Sequence, residues 1–403
     1  MTSCPPHKLS SAAILRAVLL LLVVGLAAHR SAAEITCRRT VAAGVEYIEH
    51  TLPGPVRVFV IAVDRSRSEY GLRIGWPEGR RHATRWERTS EIVARYDRMP
   101  EPDVIAAVNG SFFGTPPDVI GFTAGDGEIL VEPHEPARET LLWGPDGTLR
   151  IVAGVRPRGG TVRLADGRTL PLDHLNRRPA QLPENVLVAY TTGWGLTTGT
   201  TQPGTAVTLD EVTYPMRSDV EVTGRVVEVR TGIAAADTPL PARGLVLYAQ
   251  GTAAAPLAEG VRRGDRVGVR YATDCAVAGT ADLAITGAGW IVHAGRANAA
   301  AWEEYPESFR GRHPRTFVAW NDATLYFVVV DGRQPEHSIG MTFAEMAAFA
   351  TDVLHADETL NLDGGGSSTL VVEGAVRNSP SDKTGERPVC NAVLLVRRAD
   401  RRP

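Results

Sequence analysis

A chain of 403 residues can bury a sizeable core as one large domain or as two. Its 43% hydrophobic and 22% charged residues are the balance of a globular protein, not of a disordered or fibrous one. A formal net charge of −3 gives no general pull toward nucleic acid or an anionic membrane, which removes both as charge-driven partners.

The N-terminus reads as an address. Lys8 and Arg16 come before the apolar run Ala17–Ala28, which is short for a membrane span of about 20 residues and suits the core of a signal peptide. Ser31-Ala32-Ala33 offers small residues for cleavage before Glu34, so residues 1–33 are expected to be removed, with an uncleaved anchor as the alternative. The mature chain is then secreted or periplasmic, with no stable membrane span. It keeps Cys37, Cys275 and Cys390, which in an oxidising compartment allow one disulfide and one free thiol without fixing the pair. No Cys-x-x-Cys or His-Glu-x-x-His occurs, so a zinc site of those kinds is not indicated.

Strands and a helix in residues 34–103 lead into the main domain, 104–398, which is followed by a tail, 399–403. Val56–Val63 reads as a strand and Thr89–Met99 as a helix carrying Ile92, Val93 and Tyr96 on one side. Val104–Val108 is a buried-type strand that runs into Asn109-Gly-Ser-Phe-Phe-Gly114. From about 141 to 280 short strands alternate with Gly, Pro and Asp turns such as Pro145-Asp-Gly147 and Ala165-Asp-Gly167. Trp194, between two glycines in this region, could stack on a sugar but reads better as a turn-packing residue. Further on, Arg315–Trp320 and Leu325–Val330 flank the polar turn Asn321–Thr324 as a β-hairpin. Thr342-Phe-Ala-Glu345 is a capping box that opens an amphipathic helix to His355, with Met346 and Phe349 as core. A strand at Thr359–Leu362 delivers Asp363, and strands at Thr369–Val372 and Asn391–Val396 enclose a polar loop, Asn378–Val389.

Three strand ends therefore deliver polar groups: Asn109 with Ser111, Asp331 with Arg333, and Asp363 with the run Gly364-Gly-Gly-Ser-Ser368. Ordering successive glycines costs roughly 0.5–1 kcal/mol each, so bare backbone must serve a purpose here. Successive N–H groups can form a concave nest for an anion. The run lacks the Lys and spacing of a nucleotide P-loop, and no Gly-x-Ser-x-Gly elbow is present.

Six stretches resemble, in order, the motifs of the phosphodiester glycosidases, the family of the lysosomal uncovering enzyme. They are NGSFFG (Asn109–Gly114), PRT (Pro314–Thr316), VVDGR (Val329–Arg333), GMTFAEMAAF (Gly340–Phe349), NLDGGGSSTLVVEG (Asn361–Gly374) and NSPSDKTGERPV (Asn378–Val389). The resemblance implies an α+β fold of mixed or antiparallel sheets with a few packed helices. It also implies hydrolysis of the bond between a sugar's anomeric carbon and a phosphodiester. Asn109-Gly-Ser111 replaces the usual Asn-Gly-Gly and Phe317–Trp320 is bulkier than usual, both of which bear on the pocket's shape. Asn109-Gly-Ser111 also spells a glycosylation sequon, a use its place in the motif argues against.

A departing phosphate monoester needs its charge neutralised more than it needs a proton, which calls for arginines and backbone amides. Arg315, Arg333 and the amides of Gly364, Gly365 and Gly366 fit that role, and Asn109, Ser111, Thr316, Ser367, Ser368 and Arg387 complete the expected substrate contacts. Attack at the sugar carbon calls for a carboxylate, with Asp363 first, Glu386 second, and Asp331 as the partner of Arg315. If Ala323 is the tip of the hairpin, Arg315 and Asp331 face each other across the strands. No cofactor is required. A divalent cation on Asp331 or Asp363 is conceivable, although no metal ligand set is evident. The expected partner is a sugar-phosphate or glycan substrate, not nucleic acid. A glycan-binding domain without catalysis, and a phosphodiesterase that cuts the P–O bond, are the competing readings.

Overall fold

Val56–Asp64 shows how this chain builds its centre: Val58 and Val60 are buried on one face, Phe59, Ile61 and Val63 on the other. A strand that is apolar on both sides belongs in the middle of a sheet covered on both faces. The computed structural model describes residues 33–81, 85–100, 103–114, 118–133, 135–277 and 281–398, so the expected leader and the tail lie outside the described residues. In it, Val56–Asp64 sits third in an antiparallel eight-stranded sheet. The order is Glu34–Ala42, Val45–Leu52, Val56–Asp64, Thr324–Val330, Arg315–Trp320, Glu358–Asn361, Trp290–His293 and Arg296–Ala297.

On one face this sheet packs against a five-stranded sheet ordered Ala375–Val376, Leu370–Val372, Asp103–Asn109, Ala392–Arg397 and Tyr70–Gly75. The core between them joins Phe59, Val318, Phe327 and Leu360 to Val108, Leu370, Val372 and Val393. On its other face lies the helix Phe343–Asp352, with Met346 and Phe349 buried against Phe317 and Val330. The capping box is as read: Glu345 N donates to Thr342 Oγ1 and Thr342 N to Glu345 Oε2. The helix Thr89–Tyr96 covers the outer face of the five-stranded sheet through Ile92, Val93 and Tyr96.

A second five-stranded sheet continues the central core through Leu141 and Ile285, and its other face, through Leu142 and Ala284, packs on an eight-stranded sheet drawn from 157–273. The molecule is thus α+β, with antiparallel pairing everywhere among these sheets except His174–Leu175 beside Val186–Thr191. Trp194 is buried and donates from Nε1 to Thr198 O at 3.2 Å, as a turn-packing residue does. Cys37, Cys275 and Cys390 all stand unpaired, so the disulfide that three cysteines allow is not formed. Cys275 packs on the core of the middle sheets, whereas Cys37, on the strand Glu34–Ala42, borders the central core and Cys390, in the bend before Ala392–Arg397, lies within it. Among the described residues no helix is long and apolar enough to cross a membrane.

The hairpin register corrects the Arg315–Asp331 pairing. Arg315 faces Val330 and Trp320 faces Leu325, because the turn centres between Asp322 and Ala323. Asn321 fixes it there: its Oδ1 accepts from the amides of Ala323 and Thr324, and its own N–H donates to Thr324 O at 3.0 Å. A one-residue slip turns a partner to the opposite face of a sheet. Arg315 points to the helix side. Nε donates to Met341 O at 2.9 Å, Nη2 donates to Phe309 O at 2.9 Å and also to Gly311 O, and the Phe343 ring centre lies 4.6 Å away. Burial first, and then the nearby Arg333 charge, lower its pKa to about 9. Arg315 is a strut under the site and not a substrate contact.

Arg315→Lys is therefore expected to lower unfolding stability by at least about 2 kcal/mol, since one ammonium cannot reach the carbonyls that the fork spans. An unchanged urea midpoint would contradict this.

Candidate functional site

The strand Asp103–Asn109 ends at a buried side-chain amide that joins three segments of chain. Asn109 Nδ2 donates to Asp363 O at 2.6 Å, while its Oδ1 accepts from Thr316 Oγ1 at 2.7 Å and from Thr369 N at 3.1 Å. Both ends of the amide are occupied, so Asn109 and Thr316, expected as substrate contacts, are positioning residues instead. The burial of Asn109 also rules out its use as a glycan acceptor. The backbone extends the clamp: Asp363 N donates to Gly110 O at 3.1 Å and Gly110 N to Asn391 O at 3.1 Å. Ser111 is held by Asn391 as well, whose Oδ1 accepts from Ser111 N at 2.8 Å and whose Nδ2 lies 3.3 Å from Ser111 Oγ.

Each glycine of the run has its own steric reason. A Cβ on Gly364 would lie 2.9 Å from Pro314 O, which accepts the Gly365 amide at 3.0 Å. Gly365 has φ +63°, the left-handed region, and a Cβ there would lie 3.1 Å from both Nη atoms of Arg333. On Gly366, a Cβ would overlap Asp382 Oδ1 and Arg387 Nη2. Of the amides expected to form a nest, that of Gly365 is spent on Pro314 O and that of Gly364 on the Asp363 carboxyl, while Ser367 N and Ser368 N turn back to Gly364 O and Gly365 O. Bare backbone serves here to let two guanidinium groups close on the turn.

Asp363 stands at the start of this turn, partly buried. Loss of water raises its carboxyl from 3.8 to about 6, although the Ser367 hydroxyl, the Arg387 charge and the Gly364 amide all pull downward. Arg387 is oriented by a forked pair with Asp382, with Nε 2.8 Å from Oδ2 and Nη2 3.0 Å from Oδ1. Arg333 is exposed and makes no ion pair among the described residues; its Nη2 lies 3.3 Å from His313 Nδ1. Its φ of +59° is unusual for a residue with a side chain, and strain of this kind concentrates at functional sites.

The remaining expected residues divide. Ser367 and Ser368 lie in the turn, buried; the hydroxyls of Ser368, Thr369 and Ser381 have no protein partner. Asp331 is buried beneath the site and accepts from His337 Nε2 at 2.8 Å, Asn378 Nδ2 at 2.9 Å and the Ser379 amide at 3.0 Å. Burial raises its pKa in spite of these bonds. Asp331 thereby ties the turn after Val330 to the polar loop, and Asn378 passes the tie on to Ser368 O at 3.0 Å. Glu386 is drawn to the start of the helix Thr89–Tyr96, where it accepts from Ser90 N at 3.0 Å and Ser90 Oγ at 2.5 Å. A carboxylate at a helix N-terminus is well satisfied, so Glu386, expected as the second catalytic acid, is engaged by the helix start.

Sequence reasoning missed Asp382, His313, Asn378 and Asn391. For Asp382 a signal existed: Asp at 382 and Arg at 387 lie in the same loop, five residues apart, within reach if the loop doubles back, as Gly385 at φ +82° makes it do. Asn391 carried no signal, because its role depends on two strands meeting. Among the described residues no three His, Cys, Asp or Glu side chains come together as a metal set, and Asp331's oxygens are already engaged.

Residues 217–396 match the family model described as phosphodiester glycosidase. This span holds Arg333, Asp363, Asp382 and Arg387 but not Asn109. The fold is similar to a hypothetical protein from Synechocystis at 18% identity and TM-score 0.66, over 91% of this chain and 64% of that one. This chain therefore spans less than two thirds of that protein's length. It is also similar to a Burkholderia pseudomallei protein described as a candidate exported protein, at 25% identity and TM-score 0.60, over 85% of this chain and 74% of that one. A third similarity is to the zebrafish N-acetylglucosamine-1-phosphodiester alpha-N-acetylglucosaminidase catalytic domain auto-inhibited by pro-peptide, at 14% identity and TM-score 0.45, over 91% and 88%. No curated protein matches the chain.

Gly366→Ala is expected to expel the Asp382–Arg387 pair and destabilise the protein by roughly 1–3 kcal/mol, as overpacking does. Thermal unfolding at the wild-type midpoint would show that the pair is not seated on this glycine.

Proposed function

We propose, from the phosphodiester glycosidase domain that residues 217–396 carry, that this chain is an exported hydrolase. It cleaves the anomeric bond of a sugar-1-phosphodiester in a cell-envelope or other glycan. The observation that carries this reading is a carboxyl raised to about 6 at a strand end, beside a glycine turn on which two guanidinium groups converge. A glycan-binding domain without catalysis has no need of such a carboxyl, and perturbed acids of this kind gather at reactive sites.

Asp363 supplies the charge for attack on the anomeric carbon, as nucleophile or as base toward water. Arg333, exposed and unpaired, takes the developing charge of the departing phosphate. Arg387 is held in place by Asp382 and keeps Asp363 ionised near neutral pH. No step requires a cofactor.

The carboxyl acts in its ionised form, so kcat/KM is expected to rise with pH through about 6 and then level off. Asp363→Asn should lower turnover by roughly a hundredfold or more. The fold should survive for a reason with a definite sign. A carboxyl raised from 3.8 to about 6 binds its proton more tightly folded than unfolded, so stability falls as pH rises through that window. The asparagine variant should accordingly be at least as stable as wild type at pH 7. Near-normal turnover in that variant would remove Asp363 from the mechanism.

Hydrolysis in oxygen-18 water separates the chemistry. Label in the sugar is expected; label in the phosphate would mean P–O cleavage, and no turnover of any sugar-1-phosphodiester would favour a binding domain.

A further inference from the structure

Arg81 and Arg178 share one carboxylate, that of Asp118. Arg81 Nη2 lies 3.3 Å from Asp118 Oδ1, and Arg178 Nε lies 3.4 Å from Oδ2. Arg81 is 4% exposed at its side chain, its Nη1 donates to Asn176 O at 2.7 Å, and its guanidinium lies 4.9 Å from the Trp194 ring centre. The nearest further acid, Glu132, is taken up by Arg177 Nη1 at 3.1 Å, Tyr271 OH at 3.0 Å, the Leu175 amide and His174. Among the described residues three arginines thus meet two carboxylates, which leaves one positive charge uncompensated. Among the described residues the buried Nε–H of Arg81 has no acceptor, and the buried Nε–H of Arg178 faces Asp118 Oδ2 without the geometry of a hydrogen bond. Unpaired buried cationic groups are costly unless an anion completes them.

The cluster lies close to Asp363. Asp118 belongs to the strand Asp118–Val119, which pairs with Phe113–Gly114 just after the Asn109-Gly-Ser111 clamp. Cys390, next to the clamping Asn391, lies within electrostatic reach of Asp118, Arg178 and Arg81 and also of Asp363.

We infer that Arg81 and Arg178, held on Asp118, form a second anion subsite that binds an additional phosphate or carboxylate on the aglycone of the substrate. This rests on the glycosidase reading of Asp363. It defines the substrate class as diesters whose leaving group carries charge beyond the scissile phosphate, as in a polyanionic glycan. Arg178, more exposed than Arg81 at 15%, is the position to vary.

Two measurements test it. In kinetics on a matched pair of sugar-1-phosphodiesters, one with a neutral aglycone and one with a phosphorylated aglycone, Arg178→Gln should raise KM for the charged substrate at least about tenfold more than for the neutral one. Equal changes on both substrates would make the cluster a mere strut and overturn the proposal. Binding of inorganic phosphate, measured by calorimetry, stands apart from turnover. Phosphate should still bind Arg333→Gln, and adding Arg178→Gln should weaken it by about tenfold or more. Phosphate binding that is unchanged by the second substitution would overturn the subsite. Absence of turnover on both diesters, with the phosphate result as expected, would overturn the glycosidase reading and leave the subsite standing.

Discussion

The side-chain amide of Asn109 joins the end of one sheet's central strand to two chain segments that the other sheet delivers. It donates to the carbonyl of Asp363 and accepts from Thr316 and Thr369, with Asn109, Thr316 and Thr369 all fully buried. A buried amide with both ends paired is rigid, and its loss would strand a hydroxyl, an N–H and a carbonyl at a cost of about 1–3 kcal/mol each. The position of the reactive carboxyl follows from it, because Asp363 is tethered through its backbone on both sides: its N–H goes to Gly110 and its carbonyl to Asn109. The side chain is left free to face the turn.

Around that fixed carboxyl the charges are arranged in a graded way. Arg315 lies beneath, buried and bound to carbonyls; Arg387 is paired with Asp382; Arg333 is unpaired and exposed. Asp331 does not neutralise any of them, because its oxygens hold His337, Asn378 and Ser379. Mobile charge is thus concentrated in one side chain, Arg333, whose left-handed backbone aims it at Gly365. The three glycines are the space these groups require.

Much of this was legible in the sequence. The hairpin, the capping box and helix from Thr342, and the strand delivering Asp363 followed from periodicity and capping chemistry, which act over a few residues. What escaped was set at longer range or by a single residue of register. Asn321 caps its own turn and so moves the hairpin centre by half a residue, enough to send Arg315 and Asp331 to opposite faces. Glu386 looked available because nothing local showed that the helix from Thr89, nearly three hundred residues earlier in the chain, begins against it. Asn391 and the Arg81–Asp118–Arg178 cluster exist only where sheets meet, and no spacing within one segment announces them.

Folding holds the Asp363 carboxyl in a site that resists its ionisation. The direct measurement is carbon-13 NMR titration of the protein labelled at the aspartate carboxyls, with the Asp363 resonance assigned by its disappearance in Asp363→Asn. A midpoint at about 6 is expected for that resonance. A midpoint near the ordinary aspartate value of about 3.9 would contradict it.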